Sequence, residues 1–166
     1  TAARTEPRAG SVSPAERARR APWLLPALLT FACGGDEAPR APAPDPDLVA
    51  RGARIYAEQC AVCHGPRGEV AENWQEPNAQ GELPPPPHDS TGHTWRHSDA
   101  MLYRMVAEGW RDPFNRTERL TMPPFEAVLS REEIVAVITY LKTLWTAEQR
   151  RQQWLDSREE RFPRVR

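Results

Sequence analysis

The sequence predicts an all-α fold in which three main helices, with an extra helix at the C-terminal end, surround a large apolar group. Apolar residues recur at the helical period in three segments, whereas no segment alternates with the period of two that strands require. A stretch of 33 residues between His64 and Ser98 has no period at all. Short helices joined by such long loops bury little apolar surface by themselves. We therefore expect a bound apolar cofactor to complete the interior.

The first helix is predicted to start where Asp45 can cap it and Pro46 can occupy its first turn. Its apolar face leads directly into residues 60–64, which contain two cysteines and a histidine. The residues of that face follow one another at helical spacing: Leu48, Gly52, Ile55, Tyr56 and Gln59.

The second and third helices carry their own boundary signals. Ser98 is a predicted cap for a short helix that ends at Gly109. Ser130 and Glu133 form an S-x-x-E capping box before the clearest apolar stripe of the chain. That stripe consists of Ile134, Val137, Ile138, Leu141, Leu144 and Trp145.

Residues 146–166 are predicted to form a helical extension. Thr146 with Gln149 repeats the capping-box pattern, and the residues that follow are mostly charged. Trp154 is the largest apolar side chain in that charged segment, so it is expected to dock the helix on the domain.

Residues 1–32 are predicted to be a lipoprotein-like signal peptide. Arginines precede a twelve-residue apolar run at 21–32, which as a helix would extend only about 18 Å, too short for a hydrocarbon core of roughly 30 Å. Cys33 follows this run and is the expected site of lipidation, with ordinary signal cleavage as the alternative. Residues 33–44 then form a polar, Pro-rich linker. These features predict export to the periplasmic side of a bacterial membrane.

Cys60, Cys63 and His64 form a C-x-x-C-H motif, the attachment signature of c-type haem. A redox dithiol would require a βαβ context, and no strand-like run flanks the motif. A zinc site would need two further ligands and would leave His64 without a role. Haem attachment uses all three side chains, two as thioethers and the third as an iron ligand, and is the favoured interpretation.

A six-coordinate iron needs a second axial ligand, for which the sequence offers three methionines and three further histidines. Met101 and Met105 lie in a predicted helix, where core packing is their expected role. Met122 precedes Pro123 and Pro124, which deny the segment a helical conformation and present the thioether from a stiff loop. Met122 is therefore the predicted ligand.

The segments "CAVCHG", "MPPF" and "IVAVITYLKTLW" resemble the corresponding motifs of class I cytochromes c over roughly residues 47–145. The resemblance implies one covalent haem c in a domain spanning 45–145, with the N-terminal and C-terminal helices crossing at near right angles. It also implies that Gly52 lets these helices approach and that Tyr56 packs beside Val137 and Tyr140.

The same resemblance implies that a proline carbonyl accepts a hydrogen bond from the proximal histidine. The run Pro84–Pro87 stands at that place, without indicating which member serves. The segment that follows contains His88, His93 and His97, for which copper binding, distal ligation or an ordinary polar loop are the alternatives. Trp95 and Arg96 are expected either to bind the haem propionates or to pack the loop.

These features predict a carrier of single electrons between membrane or periplasmic redox proteins, not an enzyme. The alternatives are the haem subunit of a larger oxidoreductase complex, docked through the C-terminal helix, and a peroxidase or gas sensor with an open sixth site. The formal net charge is −1, and the chain has no basic stripe interleaved with aromatic residues. Nucleic acid is therefore not an expected partner.

Overall fold

The computed structural model describes residues 39–70 and 73–160. Within these ranges the regular structure is helical, and the only strand-like feature is one isolated β-bridge. The α-helices are α1 (Pro46–Gln59), α2 (Ala61–His64), α3 (Asp99–Glu108), α4 (Arg131–Leu141) and α5 (Ala147–Glu159). Two 3₁₀ turns occur, at Thr94–Arg96 and Lys142–Leu144. The predicted signal peptide at 1–32, Cys33 and the first residues of the linker lie outside the described residues.

Each predicted helix start is confirmed. The Asp45 carboxylate accepts hydrogen bonds from the first turn of α1, and the Ser98 hydroxyl accepts one from the backbone N–H of Met101 at 3.1 Å. Full capping boxes begin α4 and α5, at Ser130 and Thr146, where the cap and the third helical residue bond each other reciprocally. These caps satisfy N–H groups that have no partner inside a helix.

Helices α1 and α4 pack against each other at the centre of the fold. A Cβ atom at Gly52 would overlap the carbonyl oxygen of Ala136, so only glycine permits this approach. The Tyr56 and Tyr140 rings lie beside this crossing, with their centroids 5.2 Å apart, as the resemblance implies. The buried core around the crossing comprises Ile55, Leu102, Val106, Ile134, Val137, Ile138, Leu141 and Trp145.

Helix α5 docks on the domain through a residue other than the one predicted. Gln153 is 1% exposed and bonds the carbonyl of His97 and the carboxylate of Asp99, whereas Trp154 is only partly buried and lies under Arg158. The expectation that Trp154 anchors this helix is therefore wrong. This charged helix is held here by a polar side chain that bonds a loop carbonyl and a carboxylate.

The two long segments between the helices are irregular, as predicted. Between α2 and α3 the described residues contain only the turn at Thr94–Arg96, and residues 109–130 contain no helix. Of the helices in the described part of the chain, none combines the length and hydropathy needed to traverse a bilayer.

Candidate functional site

The end of α1 and the whole of α2 present the C-x-x-C-H motif. Cys60 caps the C-terminus of α1, and its carbonyl accepts the N–H of His64 at 3.0 Å. This bond places both cysteines and His64 within one helical turn. Neither cysteine of the motif pairs in a disulfide within the described residues; Cys63 is exposed and Cys60 is partly buried. Burial, and secondarily the neighbouring Cys63, raise the pKa of the Cys60 thiol to about 11.

His64 is oriented by a proline carbonyl. Its Nδ1 lies 3.1 Å from the carbonyl oxygen of Pro86, and the ring is 7% exposed. Because a carbonyl only accepts, Nδ1 carries the hydrogen, and the lone pair of the neutral ring is on Nε2. Burial lowers the pKa of His64 and so favours this neutral form, while the Pro86 carbonyl opposes the shift. Of the four consecutive prolines, Pro86 therefore holds the imidazole in the form that can bind a metal.

A cavity of about 630 Å³ opens beside His64. Both cysteines of the motif border it, together with side chains of the 83–97 segment, α3, the 110–125 segment and α4. Most of its lining is apolar and includes Leu83, Leu102, Val106, Phe125, Val137, Ile138 and Leu141. Its size lies within the range of small-molecule and cofactor sites. A flat apolar ring system with two thiols at its edge and an imidazole nitrogen beside it fits these residues.

Met122 borders the same cavity from a fixed backbone position. Its N–H and carbonyl exchange hydrogen bonds with Trp110, at 3.0 and 2.9 Å. Gly109 makes this possible, since its φ of +79° and the close approach of the Met122 carbonyl would strain any larger residue. Met101 and Met105 also line the cavity. The structure therefore brings all three methionines to the cavity, and Met122 is the one held by a loop.

The three histidines of the 88–97 segment also border the cavity. His88 stacks on His64 with ring centroids 3.9 Å apart, and His93 stacks on Trp74 at 5.3 Å. His97 meets the edge of His93, and burial lowers the pKa of both rings. Across residues 39–70 and 73–160, no three His, Cys, Asp or Glu side chains converge as a metal site, which gives no support to zinc or copper.

Trp95 and Arg96 stabilise the loop that contains them. The Trp95 indole N–H donates to the carbonyl of Gly92 at 3.0 Å, and the Arg96 guanidinium lies over the Trp95 ring. Neither residue is among those that line the cavity. Of the two expectations, the geometry favours packing over contact with the propionates.

A buried carboxylate, which the sequence did not single out, ties together the two irregular segments. Glu82 is 4% exposed and accepts hydrogen bonds from Thr117 at 2.6 Å and from the guanidinium of Arg119. One residue later, the N–H of Leu83 donates to Asn115 at 2.7 Å. These bonds hold the start of the proline run against the segment that leads to Met122. They join residues more than thirty positions apart, so no local pattern could indicate them.

The family model for cytochrome c matches residues 49–145, which covers the motif, the cavity and α4. The chain belongs to the cytochrome c family. As a class I cytochrome c it has the all-α fold and binds one covalently attached haem c, as predicted. A cytochrome c domain is generally an electron-transfer protein and not an enzyme. No curated protein and no solved structure matches the chain.

Proposed function

We propose that this cytochrome c carries single electrons between redox proteins with Cys60 and Cys63 as the thioether positions and His64 and Met122 as the axial iron ligands. The observation that carries the proposal is the 3.1 Å contact between His64 Nδ1 and the Pro86 carbonyl oxygen, at a cavity that Met122 also borders. It places the ring hydrogen on Nδ1 and leaves the second nitrogen available, while burial favours the neutral form of the ring.

The bound haem supplies iron that alternates between the ferrous and ferric states and so carries one electron. The chain contributes the ligands and the surroundings that set the balance between these states. The soft thioether of Met122 favours the ferrous form, and the apolar cavity disfavours the additional positive charge of the ferric form. Both effects raise the reduction potential relative to ligation by two histidines. With His64 and Met122 both holding the iron, no position would remain for a substrate.

The rim of the cavity is the proposed place of electron exchange. Val62, between the two cysteines, is 86% exposed, and Phe114 is 81% exposed; both border the cavity. Large apolar side chains this exposed, beside a cofactor edge, suit a small transient interface with a redox protein that presents an apolar patch of its own.

We further propose that Cys33 anchors the protein to a membrane at its periplasmic side. The eleven residues 34–44 are polar and Pro-rich, which suits a tether that keeps the carrier close to membrane redox complexes and raises its effective concentration there. Mass spectrometry of protein from its native host tests both modifications together. A diacylated Cys33 and one covalent haem are expected, whereas an unmodified Cys33 would exclude the anchor.

Replacement of Met122 tests the axial ligation, with Met105 as the matched control. Met122→Leu is expected to abolish the weak red absorption band of the ferric protein that the family shows for a methionine–iron bond, and to lower the midpoint potential. Met105→Leu is expected to retain the band. Loss of the band in Met105→Leu alone would transfer the ligand role to Met105. A high-spin ferric spectrum of the unaltered protein would support an open sixth site instead.

A further inference from the structure

His64 is contacted on its ring face as well as on its edge. Besides the Pro86 carbonyl at Nδ1, the imidazole of His88 stacks on it with an interplanar angle of 29° and a centroid separation of 3.9 Å. A hydrogen bond at one ring atom fixes the direction of that atom but still permits the ring plane to tilt. A second ring stacked on the face restricts the tilt.

The orientation of His88 is itself determined by hydrogen bonds. The Thr94 hydroxyl donates to the carbonyl of Pro87 at 3.2 Å, so its oxygen accepts the Nδ1 hydrogen of His88 at 2.9 Å. His88 therefore carries a hydrogen on Nδ1, and its ring orientation is fixed by this bond. Its side chain is fixed within the loop, and its position depends on where the loop backbone lies.

Four side chains spaced four residues apart hold that backbone, and we call them the support row: Trp145, Gln149, Gln153 and Ser157. Three of them donate to loop carbonyls: the Trp145 indole N–H to His88 at 2.9 Å, Gln149 to Ser90 at 2.9 Å, and Gln153 to His97 at 3.2 Å. The fourth, Ser157, accepts the backbone N–H of Asp99 at 3.0 Å.

The regular spacing explains how a straight row of side chains can contact an irregular loop at several points. Residues four apart lie on the same face of a helix, so α5 presents its polar side chains in line along residues 88–99. Gln149, Gln153 and Ser157 lie beyond residue 145, where the match to the family model ends. The extension is thus outside the matched domain but in contact with the loop that borders the haem cavity.

We propose that His88 is a positioning residue for His64 and that the support row, formed by Trp145 and three residues of α5, holds His88 against the imidazole of His64. The inference rests on the proposed ligation of iron by His64. Residues that orient a ligand tune the metal that it binds. Removal of the stacked ring also admits water beside His64, and polar surroundings favour the ferric state. Loss of His88, or release of the loop, is therefore expected to lower the midpoint potential.

The test uses the full-length holoprotein and two readouts that a merely structural role would not change: the midpoint potential, and the electron paramagnetic resonance g values of the ferric form, which depend on the orientation of the axial ligands. His88→Ala is expected to lower the potential and shift the g values. His88→Phe, which retains a ring of suitable size for stacking, is expected to preserve most of the native g values. Trp145→Phe and Gln153→Met each remove one donor group, Gln153→Met at nearly conserved volume and Trp145→Phe with a smaller aromatic ring, and both are expected to produce smaller shifts in the same direction.

Gln152→Met is the matched control, because Gln152 is exposed on the same helix and bonds only the neighbouring Asp156 in the described structure. It is expected to match the unaltered protein in both readouts. The proposal is overturned if His88→Ala, Trp145→Phe and Gln153→Met reduce the free energy of unfolding while the potential and g values stay native. A high-spin spectrum of the unaltered protein would instead refute the proposed ligation, so the two failures are distinguishable.

Discussion

The hydroxyl of Tyr56 donates a hydrogen bond to the carbonyl oxygen of Gly65, 2.9 Å away, and so joins α1 to the residue directly after His64. The carbonyl oxygen of His64 lies 3.3 Å from the same hydroxyl. Tyr56 is 1% exposed, and burial raises the pKa of its phenol above the ordinary value. The phenol therefore stays protonated and donates its hydrogen bond to the backbone directly after His64, the proposed ligand.

Replacing Tyr56 with Phe removes this donor and preserves the ring. We expect the free energy of unfolding to fall by about 1–2 kcal/mol, because a partly buried carbonyl is left without its partner. Denaturant unfolding of the reduced holoprotein measures the loss. An unchanged free energy of unfolding would mean that water replaces the hydroxyl without cost.

Gly52→Ala is expected to be strongly destabilising. The added methyl group overlaps the carbonyl of Ala136 in α4, and backbone cannot move aside without separating the two helices. We expect a loss of at least about 2 kcal/mol in the free energy of unfolding. Ala57→Ser, at an exposed position of the same helix, serves as the control and should change stability by less than about 0.5 kcal/mol. Equal effects of the two substitutions would contradict the close approach.

Glu82 is expected to make stability sensitive to acid. Hydrogen bonds from Arg119 and Thr117 lower the pKa of its carboxyl below the ordinary value, outweighing the opposing effect of burial. The unfolded chain then binds more protons than the folded one at acidic pH, so stability rises with pH. The stabilisation that the Glu82 carboxylate contributes is fully present above its pKa in the unfolded chain, about 4.3, and is lost as the pH falls through its lower pKa in the folded protein.

Glu82→Gln removes this titration. The variant should be less stable than the parent at neutral pH and should lose less stability between neutral and acidic pH. Thermal melts across the pH range measure both effects. Glu126→Gln, at an exposed position, is the control and should follow the parent. If the acid sensitivity of the Glu82 variant equals that of the parent, the carboxylate does not contribute in this way.

A charge at Val62 is expected to slow electron exchange with an apolar partner surface while the potential stays near its native value. Voltammetry at an electrode coated with a methyl-terminated monolayer measures the rate. Val128→Asp is the matched control, since Val128 is 66% exposed but does not border the cavity. Val62→Asp should reduce the rate, and Val128→Asp should leave it unchanged. Equal rates in both variants would contradict electron exchange at the rim of the cavity.

The helices could be predicted from the sequence because their signals are local. A cap and its partner lie within three residues, as at Ser130 and Glu133, so the pattern alone specifies the contact. The C-x-x-C-H motif is similar, since its side chains share one helical turn. The fold confirms the predicted helix starts, and the family match confirms the predicted covalent haem c, whereas the roles of the individual motif residues stay predictions.

The residues that support the site could not be predicted, because their partners are distant in the chain. Any of the four prolines could have faced His64, and the choice of Pro86 depends on the path of the whole loop. The sequence predicts Trp154, and not Gln153, as the anchor of α5 for a related reason. The burial of Gln153 depends on the carbonyl of His97, 56 positions earlier, and a polar side chain gives no local sign of such a partner.

The pairing of α1 with α4 sets an order of events during biosynthesis. Arg51 and Glu133 form an ion pair across 82 positions of sequence, so α1 can complete its packing only after a helix that is synthesised much later has formed. The C-x-x-C-H segment is synthesised well before α4, so its thiols are present while the helix that will close over the cavity is still missing. Haem can therefore be attached to an open chain, and the newly joined porphyrin can serve as the template on which the later segments assemble.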